Sequence, residues 1–135
     1  MKTIVAISTA PMTSAIGIVR ISGDRAFEIS EKIFSKPLAN VDGYRVVYGK
    51  IYDGKKILDT VLATVFRAPN SYTGEDTVEL SCHGSPYILN RVVELLIENG
   101  AVRAGRGEFS KMAYLTSETL EIPWPRSSSK SSSRV

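Results

Sequence analysis

The chain of 135 residues has few of the residue types that carry covalent or metal chemistry, with one cysteine, Cys82, and one histidine, His83. A single cysteine excludes an internal disulfide, which fits a reducing compartment and a cytoplasmic protein. A lone histidine has no companions at metal-ligand spacing, so no metal site is expected. Adjacent residues on a strand point to opposite faces, so Cys82 and His83 are not a nucleophile–base pair there. The favoured interpretation of Cys82 is a small buried core residue.

Long apolar runs and nucleotide-binding motifs are also missing. No stretch approaches the roughly 18 apolar residues of a membrane-spanning helix, and the apolar start over residues 3–8 is too short for a signal peptide. The chain contains no Gly-x-x-x-x-Gly-Lys-Ser/Thr sequence, which excludes a P-loop. No Gly-x-Gly-x-x-Gly opens a helix after a strand. No catalytic residues are predicted, and this chain alone is expected to hydrolyse no nucleotide.

The chain has only a small excess of positive over negative charge. The 17 basic and 14 acidic residues leave a net charge of +3, while hydrophobic residues make up 43% of the chain, enough for a packed core. Three of the positive charges, Arg126, Lys130 and Arg134, lie in a serine-rich tail. The rest of the chain therefore has no strong charge excess, which argues against a nucleic-acid surface.

The periodicity of apolar residues predicts one α+β domain. Strands are expected over residues 3–8, 15–22, 44–52, 58–67, 77–82 and 101–104. Helices are expected from an Asp24 N-cap to about Phe34, from an opening at Gly84 and Pro86 to about Glu98, and over 108–115. This order is compatible with a split β-α-β-β-α-β arrangement, with helices packed on a mostly antiparallel sheet.

Glu79 is the first candidate binding residue. On its strand it shares a face with Thr77 and Ser81, while the intervening residues are apolar. The pattern alone favours a solvated polar face. The functional alternative is a carboxylate on a rigid strand, which can accept two parallel hydrogen bonds from an amidine-like edge such as that of guanine or a pterin.

Arg20 and the loop before Glu79 are further candidates. Arg20 alternates with Val19 and Ile21, and its planar guanidinium suits a carboxylate or phosphate, although a surface arginine would show the same pattern. The loop over residues 70–74 has turn chemistry, with Gly74 available for a positive φ. A purely structural loop would look the same.

Four stretches of this chain together resemble one family. They are Thr3-Ile4-Val5-Ala6, Ala15-Ile16-Gly17-Ile18-Val19-Arg20-Ile21-Ser22-Gly23, Ala68-Pro69-Asn70-Ser71-Tyr72-Thr73-Gly74-Glu75-Asp76 running on to Cys82-His83-Gly84, and Gly107-Glu108-Phe109-Ser110-Lys111. In this order they resemble the N-terminal domain of the tRNA-modification GTPases called MnmE or TrmE. The resemblance covers roughly residues 1–115.

The resemblance implies a domain similar to the tetrahydrofolate-binding domains of one-carbon enzymes. Such a domain binds 5-formyl- or 5,10-methylene-tetrahydrofolate and holds two subunits together as a homodimer. In the family, the whole protein works with the flavoprotein MnmG on the wobble uridine of certain tRNAs, at carbon 5. Potassium, magnesium and GTP serve a separate GTPase domain, which is expected to be missing here together with the helical domain.

Two residues match positions that the family uses for folate, Arg20 and Glu79. The resemblance implies that Glu79 pairs with the amino-pyrimidine edge of the pterin and that Arg20 contacts another polar part of the folate. Tyr72 and the loop over residues 69–74 are expected to wall the pocket.

The chain also departs from the family. The family has a glycine-rich loop where this chain has residues 9–14, and a second glycine after the histidine where this chain has Ser85. The family's folate-binding lysine corresponds to Glu118 here, which reverses the charge. We expect a folate-binding and dimerisation domain over residues 1–117. Residues 118–135 are expected to form an aberrant, disordered tail, frame-shifted or artificially appended. The alternatives are a dimerisation module with a defective folate site and an RNA-binding domain that uses the basic tail.

Overall fold

The computed structural model describes residues 2–8, 16–105 and 107–112. Their elements follow in the order β1 (Ile4–Ile7), β2 (Ile16–Ser22), α1 (Ala26–Glu31), β3 (Arg45–Asp53), β4 (Lys56–Phe66), β5 (Thr77–His83), α2 (Pro86–Glu98) and β6 (Val102–Arg103). A last helical segment, α3, covers residues 108–112. The predicted α+β class is confirmed.

The strands form one six-stranded sheet in the order β3-β4-β5-β2-β1-β6. Every neighbouring pair is antiparallel except β1 and β6, which run parallel. The sheet is therefore mostly antiparallel, as predicted. Its longest element is the β3–β4 hairpin, whose turn places Gly54 at φ +65°. A glycine suits this turn because side chains rarely adopt that backbone conformation.

One face of the sheet, here called the inner face, packs against α1 and α2. The alternating residues of the strands bury their apolar side chains there, for example Val19 and Ile21 of β2 and Val78 and Leu80 of β5. Helix α2 adds an amphipathic stripe of Leu89, Val92, Val93 and Leu96. The opposite, outer face carries the polar residues of β2 and β5, so the predicted alternation of both strands is confirmed.

Two glycines on the inner face allow this close packing. A Cβ at Gly17 would lie 2.5 Å from Cδ1 of Leu89 on α2, and a Cβ at Gly49 would lie 2.4 Å from Cζ of Phe34. A side chain at Gly17 would push α2 away from the sheet, and a side chain at Gly49 would displace the ring of Phe34.

Helix α1 is shorter than predicted, and the predicted cap is wrong. The N-cap residue is Arg25 rather than Asp24, without a side-chain cap, and the helix ends at Glu31 rather than near Phe34. The chain leaves the helix because the segment after it adds to the edge of β3. Phe34 forms an isolated antiparallel bridge with Ile51, and the amide of Tyr52 donates to the carbonyl of Ile33 at 2.8 Å. Pairing with the sheet overrides the helical periodicity.

Two expectations lie outside the described residues: the end of the last helix at 115 and the disordered tail over 118–135. The loop over residues 9–14 lies outside them as well. Among the helices that the structure does describe, none has the length and apolar character needed to cross a membrane.

We expect Gly49→Ala to lower the free energy of unfolding by roughly 1–3 kcal/mol, because the new methyl group meets the ring of Phe34. Gly43→Ala is the matched control, since the nearest atom to its new Cβ would be the amide nitrogen of Arg67 at 3.5 Å. Urea denaturation followed by circular dichroism measures both. Equal stability of the two variants would contradict the close approach at Gly49.

Candidate functional site

The centre of the candidate site is an ion pair between Arg20 and Glu79 on the outer face. The two residues are direct cross-strand partners in the β2–β5 ladder. Nε of Arg20 donates to Oε2 of Glu79 at 2.8 Å, and the side chains are 18% and 21% exposed. Both groups are held by paired strands rather than by loops, so the site has a rigid base. The structure thus brings together two residues that the sequence identified separately.

Two aromatic rings flank the guanidinium of Arg20. Its Cζ lies 5.0 Å from the ring centre of Tyr72 and 5.6 Å from that of Phe109. Both distances suit cation–π attraction. The hydroxyl of Tyr72 also donates to Oγ of Ser110 on α3 at 3.4 Å. The predicted wall residue Tyr72 therefore lies beside Arg20, and α3 supplies a second wall.

Sequence reasoning missed Phe109 as a site residue. The sequence marks it only as part of the stretch from Gly107 to Lys111, because its position in the chain is far from β2 and β5. The available signal was an apolar aromatic in an otherwise polar helical turn. Only the folded chain shows that this ring covers Arg20.

A cluster of buried hydroxyl groups fixes the loop that carries Tyr72. Oγ of Ser22 hydrogen-bonds with the hydroxyls of both Thr73 and Thr77. Oγ of Ser71 donates to the carbonyl of Glu75 at 2.6 Å. Gly74 has φ +82°, which confirms its predicted use of positive φ. The loop is thus tied to the ends of β2 and β5, and its ring is held over the outer face.

Helix α3 is held by its first residue, Glu108. Its Oε1 accepts the amide of Gly105 at 2.8 Å, and its Oε2 lies 3.0 Å from Nζ of Lys2. The hydrogen bond from Gly105, followed by that from Lys2, lowers the pKa of the Glu108 carboxyl below its usual value. These contacts keep Phe109 in position against Arg20.

A cavity of about 210 Å³ opens beside Arg20, between the end of β1 and α3. It is lined by Ala6, Ile7, Ser8, Arg20, Ala104, Gly105, Gly107, Glu108 and Phe109. Ligand pockets commonly measure about 300–1,000 Å³. This cavity therefore suits part of a ligand, and the remainder of a larger molecule would lie along the outer face.

The ion pair retains unused hydrogen-bonding capacity. Within the described part of the chain, the side chain of Arg20 donates only through Nε, and the side chain of Glu79 accepts only through Oε2. The η N–H groups of Arg20 and Oε1 of Glu79 are therefore available to a ligand. The pair presents an acceptor and a donor side by side. It therefore matches a neutral ring edge that carries both donors and acceptors, and it matches a simple anion less well because the carboxylate would repel it.

The contacts of His83 and Cys82 at the end of β5 hold the fold together and form no reactive pair. The Asp59 carboxylate is 6% exposed and accepts the His83 amide at 2.8 Å, the His83 ring Nδ1 at 2.6 Å and the Thr60 amide at 2.8 Å. Cys82 is buried, and burial, with the charge of Asp59, raises the pKa of its thiol to about 12. Such a thiol is a poor nucleophile, which confirms Cys82 as a core residue. The described residues contain no group of side chains suited to a metal ion.

We expect Asp59→Asn to lower the free energy of unfolding by roughly 1–3 kcal/mol, because an amide replaces one of the two acceptors with a donor facing partly buried N–H groups. Asp42→Asn is the matched control, since the Asp42 side chain is 86% exposed, and we expect it to change stability by less than about 0.5 kcal/mol. Thermal and urea unfolding measure both. Equal effects would show that Asp59 does not hold the β4–β5 end.

Comparison with known proteins identifies the family of this chain. The family model described as "GTP-binding protein TrmE N-terminus" matches residues 3–118. The tRNA modification GTPase MnmE of Mycoplasmoides gallisepticum is 46% identical over 114 residues, and that of Bacteroides thetaiotaomicron is 47% identical over 118 residues; each alignment covers 84% of this chain and 25% of the relative. The MnmE of Chlorobium phaeobacteroides is 43% identical over 118 residues. The chain thus spans about a quarter of the length of these relatives, and it belongs to the TrmE N-terminal family.

Proposed function

We propose that this chain binds a reduced folate, 5-formyl- or 5,10-methylene-tetrahydrofolate, through the Arg20–Glu79 pair. The observation that carries the proposal is the placement of a carboxylate and a guanidinium side by side on paired strands, between the rings of Tyr72 and Phe109. In this proposal residues 1–117 form the folate-binding and dimerisation domain.

The chemistry of a pterin ring supports the role of Glu79. The amino-pyrimidine edge of a pterin presents two neighbouring N–H donors, which a carboxylate accepts in parallel. Oε1 of Glu79 has no partner among the described residues, and Oε2 retains a second lone-pair site beside Nε of Arg20. Tyr72 and Phe109 add flat apolar surface next to this edge, as ligand pockets commonly do.

The same outer face supports dimerisation with a second copy of this chain. Val46, Tyr48, Leu62 and Ile16 expose large apolar side chains there. They lie on the face of Glu79, because Val46 is paired with Thr64, Thr64 with Glu79, and Tyr48 with Leu62. A second copy would cover this apolar surface and would add walls beside a cavity that is too small for a whole folate.

We place the chain in a larger tRNA-modification enzyme. The matched relatives are named tRNA modification GTPases, and this chain corresponds to about a quarter of their length. The flavoprotein MnmG, tRNA, GTP, potassium and magnesium belong to the proposal for that whole protein.

A dimerisation module without folate binding is the second candidate, and the reversed charge at Glu118, outside the described residues, favours it.

Isothermal titration with 5-formyl-tetrahydrofolate tests folate binding. We expect Glu79→Gln to weaken binding by at least about tenfold, because one acceptor for the ring becomes a donor. Glu98→Gln is the control, since this exposed carboxylate lies at the end of α2, the helix on the other side of the sheet. Equal affinity of the Glu79 and Glu98 variants would contradict the proposed site. A folded wild-type chain that binds no folate would leave the dimerisation module as the function.

Sedimentation equilibrium tests the second copy. We expect Leu62→Glu to shift the chain from dimer to monomer, because a charge enters the centre of the apolar surface. Tyr87→Glu is the matched control: Tyr87 is 68% exposed at the start of α2, on the other side of the sheet. A monomeric wild-type chain, or equal dissociation of both variants, would contradict this interface.

A further inference from the structure

The spare groups of the ion pair form a row of defined hydrogen-bonding character. Oε1 and Oε2 of Glu79 are acceptors, and the η nitrogens of Arg20 follow as donors with no other partner among the described residues. The strand pairing holds both side chains on the outer face, and Nε of Arg20 contacts Oε2 rather than Oε1, so the guanidinium lies on the Oε2 side of the carboxylate. The row is therefore acceptor, acceptor, donor.

A 2-amino-4-oxo-pyrimidine edge is complementary to this row. Its 2-amino group and its N3–H are donors, and its 4-oxo oxygen is an acceptor. The carboxylate of Glu79 matches the two donors, and the guanidinium of Arg20 matches the oxygen. Oε2 can accept both Nε–H of Arg20 and the ring N3–H, since a carboxylate oxygen has two lone-pair sites. The Arg20–Glu79 bond at 2.8 Å therefore does not have to break when the ring binds.

We propose that Arg20 is the residue that determines ring specificity: it donates to the 4-oxo oxygen, so the site accepts 2-amino-4-oxo rings and rejects 2,4-diamino rings. This inference rests on the proposed function and names the ring chemistry that the site selects. A 4-amino group would place N–H donors against the η donors of Arg20, and neither side could accept.

Arg20 is needed for this selection because a lone carboxylate would prefer the opposite ring. A 2,4-diaminopteridine is more basic at N1 than the 4-oxo ring, and its N1–H and 2-amino group can pair with a carboxylate as a cation. The guanidinium of Arg20 lies 2.8 Å from Oε2 of Glu79 through Nε, so its positive charge opposes a cationic ring at the same carboxylate. The aromatic walls limit how far Arg20 can turn away.

Guanine presents the same edge as a pterin, so the ring could come from a folate or from a guanine nucleoside. The chemistry shared by both is the 2-amino-4-oxo-pyrimidine edge. Guanosine is therefore included in the test as a separate ligand.

Folic acid and aminopterin form the matched pair of probes, since they differ only in the 4-oxo and 4-amino substituents. We expect the wild-type chain to bind folic acid at least about tenfold more tightly than aminopterin in fluorescence titration, the loss expected for one charge-assisted hydrogen bond. In Arg20→Met, whose folding is checked by circular dichroism, we expect this ratio to fall to about one or to reverse. Arg20→Lys keeps the charge without the planar fork and should retain only part of the preference.

The possible outcomes are separable. Binding of folic acid and aminopterin with equal affinity by the wild-type chain would overturn the role of Arg20 while leaving folate binding intact. An unchanged ratio in a folded Arg20→Met variant would do the same. Displacement of folic acid by guanosine at comparable concentration would support recognition of the 2-amino-4-oxo-pyrimidine edge. It would also show that the ring can be supplied by a guanine nucleoside. Binding of none of the three ligands would overturn this inference together with the proposed folate site.

Discussion

The β2–β5 ladder is the constraint on which the site depends. It pairs seven residues of each strand, from Ile16 opposite His83 to Ser22 opposite Thr77. Side chains alternate between the two faces, so a shift of one residue would move every side chain of a strand to the other face. Val19 and Val78 are fully buried on the inner face, and a shift would expose them. The apolar core therefore fixes Arg20 and Glu79 on the outer face, and the pairing of the two strands sets them opposite each other.

The ion pair at the centre of the candidate site contributes little to stability. Both side chains are about one-fifth exposed, so their attraction is screened by nearby water and offsets only part of the lost hydration. Hydrophobic residues at the same two positions would serve the sheet at least as well. The flanking rings of Tyr72 and Phe109 remove water from the guanidinium without supplying acceptors for its η N–H groups. An arrangement of this kind has donors prepared for an incoming acceptor.

Local features of this fold could be predicted from the sequence, because they depend on residues close together in the chain. Alternation predicts Arg20 and Glu79 on polar faces of their strands, and turn chemistry predicts the positive φ of Gly74. The strand order could not be predicted, because it depends on which apolar faces pack together across long separations. Helix α1 was overextended for the same reason: Phe34 pairs with Ile51 on β3, a contact that helical spacing does not reveal.

The candidate site was predictable to a similar extent. Arg20, Glu79 and Tyr72 were identified as separate residues, and the resemblance to the TrmE family joined them. The contact of Phe109 with Arg20 was not predictable, because α3 follows β6 and reaches β2 only through the sheet order. The roles of these residues in folate binding stay predictions.

The geometry of the sheet links the proposed ligand site with the proposed dimer surface. Val46, Thr64, Glu79 and Arg20 form one row across four adjacent strands. Neighbouring strands lie about 4.8 Å apart, so Val46 is only about 10 Å from Glu79. A second copy seated on Val46, Tyr48 and Leu62 would therefore lie within reach of a ring held by Glu79. A ligand that contacts both copies binds the dimer more tightly than the monomer, and by linkage it strengthens dimerisation by the same factor. On this sheet, folate binding and dimerisation are thus expected to act as one coupled equilibrium.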